Sequence, residues 1–134
     1  MKHLRLGPHV DAPRQVVEQQ DFGADQSDSM ALARLQAGLD STGNVVAWWS
    51  RLVAPSYVSQ HGGSAGVDPL AITGAKGLPY AFTSRQVEYV RHTAPIAVGS
   101  WRSIGCSINT FVTESAIDEL AAMAGVDALA FRKT

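Results

Sequence analysis

Only one cysteine, Cys106, occurs in this chain of 134 residues. A lone thiol excludes an internal disulfide and any Cys-x-x-Cys metal or redox motif, so the chain by itself has no means of holding an iron–sulfur cluster. Long apolar runs are missing as well: no stretch approaches the roughly 18 residues that a membrane-spanning helix needs. Residues 1 to 10 carry Lys2, His3, Arg5 and His9 and lack the apolar segment of a signal peptide. The expectation is a soluble, cytoplasmic chain with no membrane span. Basic clusters are absent, and with a formal net charge of −1 the composition argues against a nucleic-acid partner. The four histidines, His3, His9, His61 and His92, stand at irregular distances without a His-x-x-x-His pair, so no protein-held metal is expected. There is no internal repeat and no low-complexity segment.

What is present fits a single globular unit. Hydrophobic residues make up 46% and charged residues 17% of the chain, and a chain of this length buries about two thirds of its unfolded surface. Residues 1 to 29 read as the least regular part, with Pro8, Pro13 and a polar run from Gln19 to Ser29, and with residues 14 to 18 as a short strand. From Ala33 the period becomes two, with Ala33, Leu35, Ala37 and Leu39 on one face and Arg34, Gln36, Gly38 and Asp40 on the other. Ser41, Thr42, Gly43 and Asn44 then supply turn residues, and residues 45 to 53 follow as an apolar, β-branched and aromatic run. These features predict an antiparallel hairpin. Residues 55 to 77, rich in glycine, read as connection, with a short helical turn at 68 to 72 opened by Asp68-Pro69. Residues 87 to 92 read as a further strand ended by Ala94-Pro95. A helix is expected over 107 to 124, stopped by Gly125, and Asp127 is suited to capping another. The fold class is α+β: a hairpin and further strands packed against a C-terminal helix.

The segment Trp101-Arg102-Ser103-Ile104-Gly105 carries the most chemistry. It sets an arginine and a glycine turn before a helix N-terminus, where unbonded N–H groups and the positive end of the dipole favour anions. Spacing alone is equally served by an ordinary strand-to-helix connection with Arg102 on the surface. Cys106 beside that N-terminus, with His92 as base, is a conceivable nucleophile, but no local pattern links them and an isolated cysteine is more often a small buried apolar residue. Glu114 and Glu119 read as solvated or dipole-favoured helix charges. Trp48 and Trp49, on the second hairpin strand, are assigned to core packing rather than to ligand stacking.

Read as a pattern, Trp101-Arg102-Ser103-Ile104-Gly105 followed by Glu114-Ser115-Ala116-Ile117-Asp118-Glu119-Leu120-Ala121 resembles the molybdenum-cofactor-binding large subunit of the molybdenum hydroxylases (xanthine oxidase/aldehyde oxidase superfamily), and within it the isoquinoline 1-oxidoreductase beta subunits. Leu78-Pro79-Tyr80-Ala81, Val87-Glu88-Tyr89-Val90-Arg91-His92, the stretch from Leu35 to Trp48 and the one from Ala124 to Arg132 are similar to that family in the same order, so the resemblance spans roughly residues 30 to 132. It implies one segment, residues 1 to 134, internal to a molybdopterin-binding domain, with 1 to 29 irregular. It further implies that Trp101, Arg102, Ser103 and Gly105 contact molybdopterin, in its cytosine dinucleotide form, and that Ile104 forms an apolar wall against substrate. The complete enzyme would hydroxylate an electron-poor carbon of an N-heteroaromatic or aldehyde-like substrate. Its partners would be the remainder of the large subunit and a 2Fe-2S small subunit, and it could lie in the periplasm. Cys106-Ser107-Ile108-Asn109 departs from a His-Ser-Gln-Asn-like run, and Gln26-Ser27-Asp28-Ser29 from an Arg-Tyr-Arg-Pro-like run, which implies an altered site. The family's base, a glutamate in a glycine-containing motif, has no counterpart, since no Gly-Glu pair occurs in the sequence. The chain alone should be inactive, with no catalytic residue and no metal ligand of its own. The competing reading is a non-catalytic α+β interaction domain.

Overall fold

The alternation that begins near residue 31 is what the chain builds on. The computed structural model describes the backbone of residues 15–19 and residues 30–63, 66–93, 98–99 and 102–133. Its elements are β1 (Gln15–Gln19), β2 (Ala31–Leu39), β3 (Val45–Ala54), α1 (Tyr57–Gln60), β4 (Ser84–Arg91), α2 (Gly105–Ala124) and α3 (Ala128–Phe131). The strands form one mixed sheet in the order β1-β2-β3-β4, and the architecture is α+β.

β2 and β3 pair antiparallel from Leu32↔Val53 to Leu39↔Val45, with a register shift between Gly38 and Leu39. The expected hairpin is therefore present. Its turn is organised by Asp40, whose carboxylate accepts from the Thr42 amide (2.9 Å), the Thr42 hydroxyl (2.7 Å) and the Asn44 amide (3.0 Å). Gly43 takes φ 86°, a conformation in which a Cβ is strained. The Thr42 hydroxyl and the Asn44 amide lower the Asp40 carboxyl to about 2 from 3.8.

β1 adds to β2 antiparallel, close to the strand read at 14 to 18. β4 adds to β3 parallel, from Ala47↔Ser84 to Ala54↔Arg91, so the chain must cross from one end of the sheet to the other between residues 55 and 83. That crossing contains α1, which the glycine-rich composition of the segment concealed. β4 begins three residues before the strand read at 87 to 92. Pro95, offered as its terminator, lies outside the described residues.

Burial on β2 alternates strictly at Ala31, Ala33 and Leu35, placing these residues on the face that packs against α2. α2 returns Ile108, Val112, Ala116, Ile117, Leu120 and Ala121 at helical spacing. Leu35, Ile117 and Leu120 are all but fully buried, and each contributes about 1.5–3 kcal/mol through burial. Trp48 and Leu52 continue this core on β3. Trp48 stacks on Phe82 at a centroid distance of 4.9 Å and an interplanar angle of 11°. Its indole N–H is buried without a partner among the described residues. Gly125 ends α2 in the left-handed conformation, with its N–H bonded to Ala121 and Ala122 carbonyls, and the Asp127 carboxylate caps α3 by accepting from the Leu129 and Ala130 amides.

The helix leaves the opposite face of the sheet uncovered among the described residues. Strand register runs Leu32, Val53 and Val90 in one row across it. Leu32 is 42% and Val90 44% exposed. Trp49 belongs to this outer face and not to the core: its indole donates to Glu88 at 2.9 Å, and Arg51 lies over its ring. Of the two tryptophans assigned to packing, only Trp48 packs in the core.

Candidate functional site

The turn singled out in the sequence sits at the head of α2, and its shape is set by what it presses against. Gly105 lies so close to the 70–71 segment that a Cβ there would meet the Ala71 oxygen at 2.5 Å and the Leu70 oxygen at 2.6 Å. No larger residue fits without moving that backbone. Asn109, one turn further on and buried, donates its side-chain amide to the Ala71 and Thr73 carbonyls, each at 2.8 Å. The helix start is thus clamped to residues 70–73 by a steric contact and two hydrogen bonds. Those residues are in turn held by Asp68, a buried carboxylate that accepts from the Ser56 hydroxyl (2.8 Å) and from the amides of Val58 (2.9 Å), Leu70 (2.8 Å) and Ala71 (3.3 Å). Burial raises the Asp68 carboxyl, but the four donors outweigh it and hold the group below 3.8.

Entry into this clamped helix forces an unusual backbone. Ser103 has φ 75° and Ile104 φ 45°, ψ −125°, both in territory where a side chain is strained, and most of all a β-branched one. The Ser103 carbonyl accepts from the Cys106 amide at 2.8 Å and closes the turn. Ile104 occupies the N-cap position with no side-chain cap, and the first turn of the twenty-residue helix carries no acid. The donors at this helix end therefore face no carboxylate from the helix itself. Arg102 and Ser103 are exposed, and the Arg102 side chain makes no hydrogen bond or ion pair with any described residue. Arg102, Ser103, Ile104 and Gly105 are thus consecutive in one tight turn. Trp101 lies outside the described residues. Ile104 is half-buried against the small cluster of Tyr57, Ala71 and Val98, so part of its apolar surface is already used in packing. Cys106 is half-buried with its sulfur 3.4 Å from the Thr110 hydroxyl.

Residue 114 departs from its reading as a solvated helix charge. The Glu114 carboxylate accepts from the Tyr80 hydroxyl at 2.8 Å and from Arg132 Nε at 3.0 Å, and Arg132 also reaches Asp118 at 2.6 Å. Burial and then the hydrogen bond to Glu114 push the Tyr80 phenol upward. This network joins the 78–83 segment, α2 and α3 beside a cleft of about 530 Å³ lined in part by Tyr80, Phe82, Phe131 and Arg132. Sequence reading missed it because its directly bonded partners lie up to 34 residues apart. Local sequence marks Asp68 only as the opening of a helical turn, because its donors Ser56 and Val58 lie in another segment. Among the described residues no group of three or more His, Cys, Asp or Glu side chains is placed to hold a metal ion, and no helix is long and apolar enough to cross a membrane.

No protein-family model and no curated protein sequence matches the chain.

Proposed function

We propose that the chain is an internal segment of a molybdenum hydroxylase large subunit of the isoquinoline 1-oxidoreductase kind, supplying one wall of the cavity for molybdopterin and substrate. The observation that carries this reading is the turn of residues 102–105: an exposed arginine directly before the uncapped, acid-free N-terminus of a twenty-residue helix. Its donor set of guanidinium, Ser103 hydroxyl and first-turn amides suits the phosphates of a pterin dinucleotide. Metal ligands from the chain are not needed, because the pterin's own dithiolene holds molybdenum. Bound at this site, the cofactor would supply the hydroxylation of an N-heteroaromatic or aldehyde carbon, with electrons leaving through a separate 2Fe-2S subunit. The chain's residues would bind and orient: Arg102 by charge, Gly105 and Asn109 by fixing the helix start, Ile104 by its remaining apolar surface. None acts as the base. The uncovered row Leu32, Val53 and Val90 agrees with a segment that packs against the remainder of a larger subunit.

In a complete large subunit carrying this segment, Arg102→Ala should lower molybdenum occupancy and turnover together, by about tenfold for the loss of a charge-assisted contact, whereas Cys106→Ser should change either by less than about twofold. Molybdenum analysis beside turnover decides it. Equal occupancy in Arg102→Ala, or isoquinoline oxidation by the isolated chain with an artificial electron acceptor, would remove this reading in favour of another.

A further inference from the structure

A second place in the molecule gathers positive charge that no described residue pairs, and it owes nothing to the Arg102 turn. On β4, Arg85, Val87 and Tyr89 alternate onto the same face as Trp48, Ser50 and Leu52, their partners in register on β3. This is the inner, apolar face of the sheet, and α2 packs over β1 and β2 without reaching β4. The uncovered part of the inner face becomes one wall of a cleft of about 260 Å³, with Val67, Ile72 and Lys76 of the crossing segment opposite. Two cations line this small space, and among the described residues no acid does. Neither the Lys76 nor the Arg85 side chain makes a hydrogen bond or ion pair with any described residue, since the ion pairs present engage Arg51 and Arg132. The only acidic residue in the 66–77 stretch is Asp68, and its carboxylate is occupied by Ser56, Val58, Leu70 and Ala71.

An inward-pointing charge on an edge strand is a known guard against edge-to-edge association, and that accounts for Arg85 taken alone. It does not account for Lys76, which the opposite wall brings to the same cleft. Both cations line the one cleft, so an anion held there meets positive charge from two elements of the fold. The wall that carries Lys76 is also built in advance: the Ala75 and Lys76 amides both donate to the Ile72 carbonyl at 3.1 Å, and the Asp68 and Asn109 contacts hold residues 68–73. The rest of the lining is apolar, from Val67, Ile72 and Val87, with the Tyr89 hydroxyl already donated to the Ala54 carbonyl at 3.1 Å. The volume corresponds to roughly nine waters.

We infer that this cleft binds a small organic anion, with its acid group between Lys76 and Arg85 and an apolar body the size of a single ring on Val67, Ile72 and Val87. A carboxylate and a phosphate share this chemistry, and a forked guanidinium receives either. The test is titration of the full chain, followed by two-dimensional amide NMR, with benzoate, phenyl phosphate, neutral benzamide and bodiless acetate. Saturable shifts confined to residues around 67–76 and 85–89 are expected with benzoate or phenyl phosphate, and the tighter of the two names the acid group. Benzamide and acetate should bind about tenfold more weakly or worse. Arg85→Gln and Lys76→Gln, both at exposed positions and checked for unchanged circular dichroism, should each weaken binding about five- to tenfold, and added salt should weaken it further. Benzamide binding as well as benzoate, shifts that do not saturate, or folded variants that bind like the unmodified chain would each overturn the assignment. None of these outcomes bears on the Arg102 turn.

Discussion

Asp40 and Asp68 do similar work in different places. Each carboxylate accepts several hydrogen bonds, each is held below the usual carboxylate range, and each organises a bend. Asp40 is exposed, and all its partners lie within four residues. Asp68 is 2% exposed and gathers donors from two segments, reaching back twelve residues to Ser56. Water replaces a lost partner at the first site and cannot at the second, so similar bonding should carry very different energetic weight.

The largest consequence falls on Asp68→Ala. Removing the acceptor strands the buried Ser56 hydroxyl and the amides of Val58, Leu70 and Ala71, and frees the segment against which Gly105 and Asn109 rest. A loss of about 3 kcal/mol is expected, from a range of 1–3 kcal/mol for each unsatisfied buried group with partial relaxation. Urea denaturation of the purified chain measures it. A loss no larger than that of an exposed-site control would show that water reaches the site and that the contrast with Asp40 is not one of burial.

Acid titration sharpens the same comparison. A carboxyl whose folded pKa lies below its unfolded value contributes stability above the unfolded value, and that contribution disappears as pH falls through the folded one. For Asp40 the window runs from 3.8 down to about 2, and for Asp68 it opens at 3.8 and extends downward. The denaturation midpoint should therefore hold steady from neutral pH to about 4 and fall below it. Asp68→Asn, already weaker at neutral pH, should show a shallower acid limb, and Asp40→Asn should flatten the limb as well, since both carboxyls are lowered in the folded chain. Parallel acid limbs in the unmodified chain and in Asp68→Asn would move the acid sensitivity to other groups, Glu88 first among them, since the Trp49 indole and Arg51 lower its carboxyl.

What could be read from the sequence follows the same divide. The hairpin, the turn at 41–44, the Gly125 stop and the Asp127 cap are all decided within a few residues, where periodicity and turn chemistry act alone. The parallel addition of β4, the short helix α1 and the Tyr80–Glu114–Arg132 network depend on where distant segments meet, and no local pattern encodes that. Trp48 and Trp49 make the point on one strand: alternation puts them on opposite faces, but which face α2 covers is settled only by packing. At the candidate site, the pairing of Arg102 with a helix N-terminus was legible from spacing. The positive φ of Ser103 and Ile104 was not, because neither residue favours it and the strain arises from the clamp that Leu70, Ala71 and Asn109 impose from outside the turn.

The smallest effect belongs to the hairpin turn, and it separates backbone conformation from hydrogen bonding. Gly43→Ala places a Cβ at φ 86°, 3.4 Å from the Ala124 Cβ, which is ordinary van der Waals contact. The space is therefore available, and only the left-handed conformation costs, by about 1 kcal/mol. Asp40→Ala leaves Gly43 undisturbed and removes only bonds that water replaces, so its denaturation midpoint should shift less than that of Gly43→Ala. With the two changes combined, the losses should fall short of their sum, because a turn already loosened at Asp40 can relax the strain at residue 43. An Asp40→Ala loss larger than that of Gly43→Ala would mean that the exposed carboxylate holds the β2–β3 register by itself, and the distinction drawn between Asp40 and Asp68 would then rest on reach along the chain and not on burial.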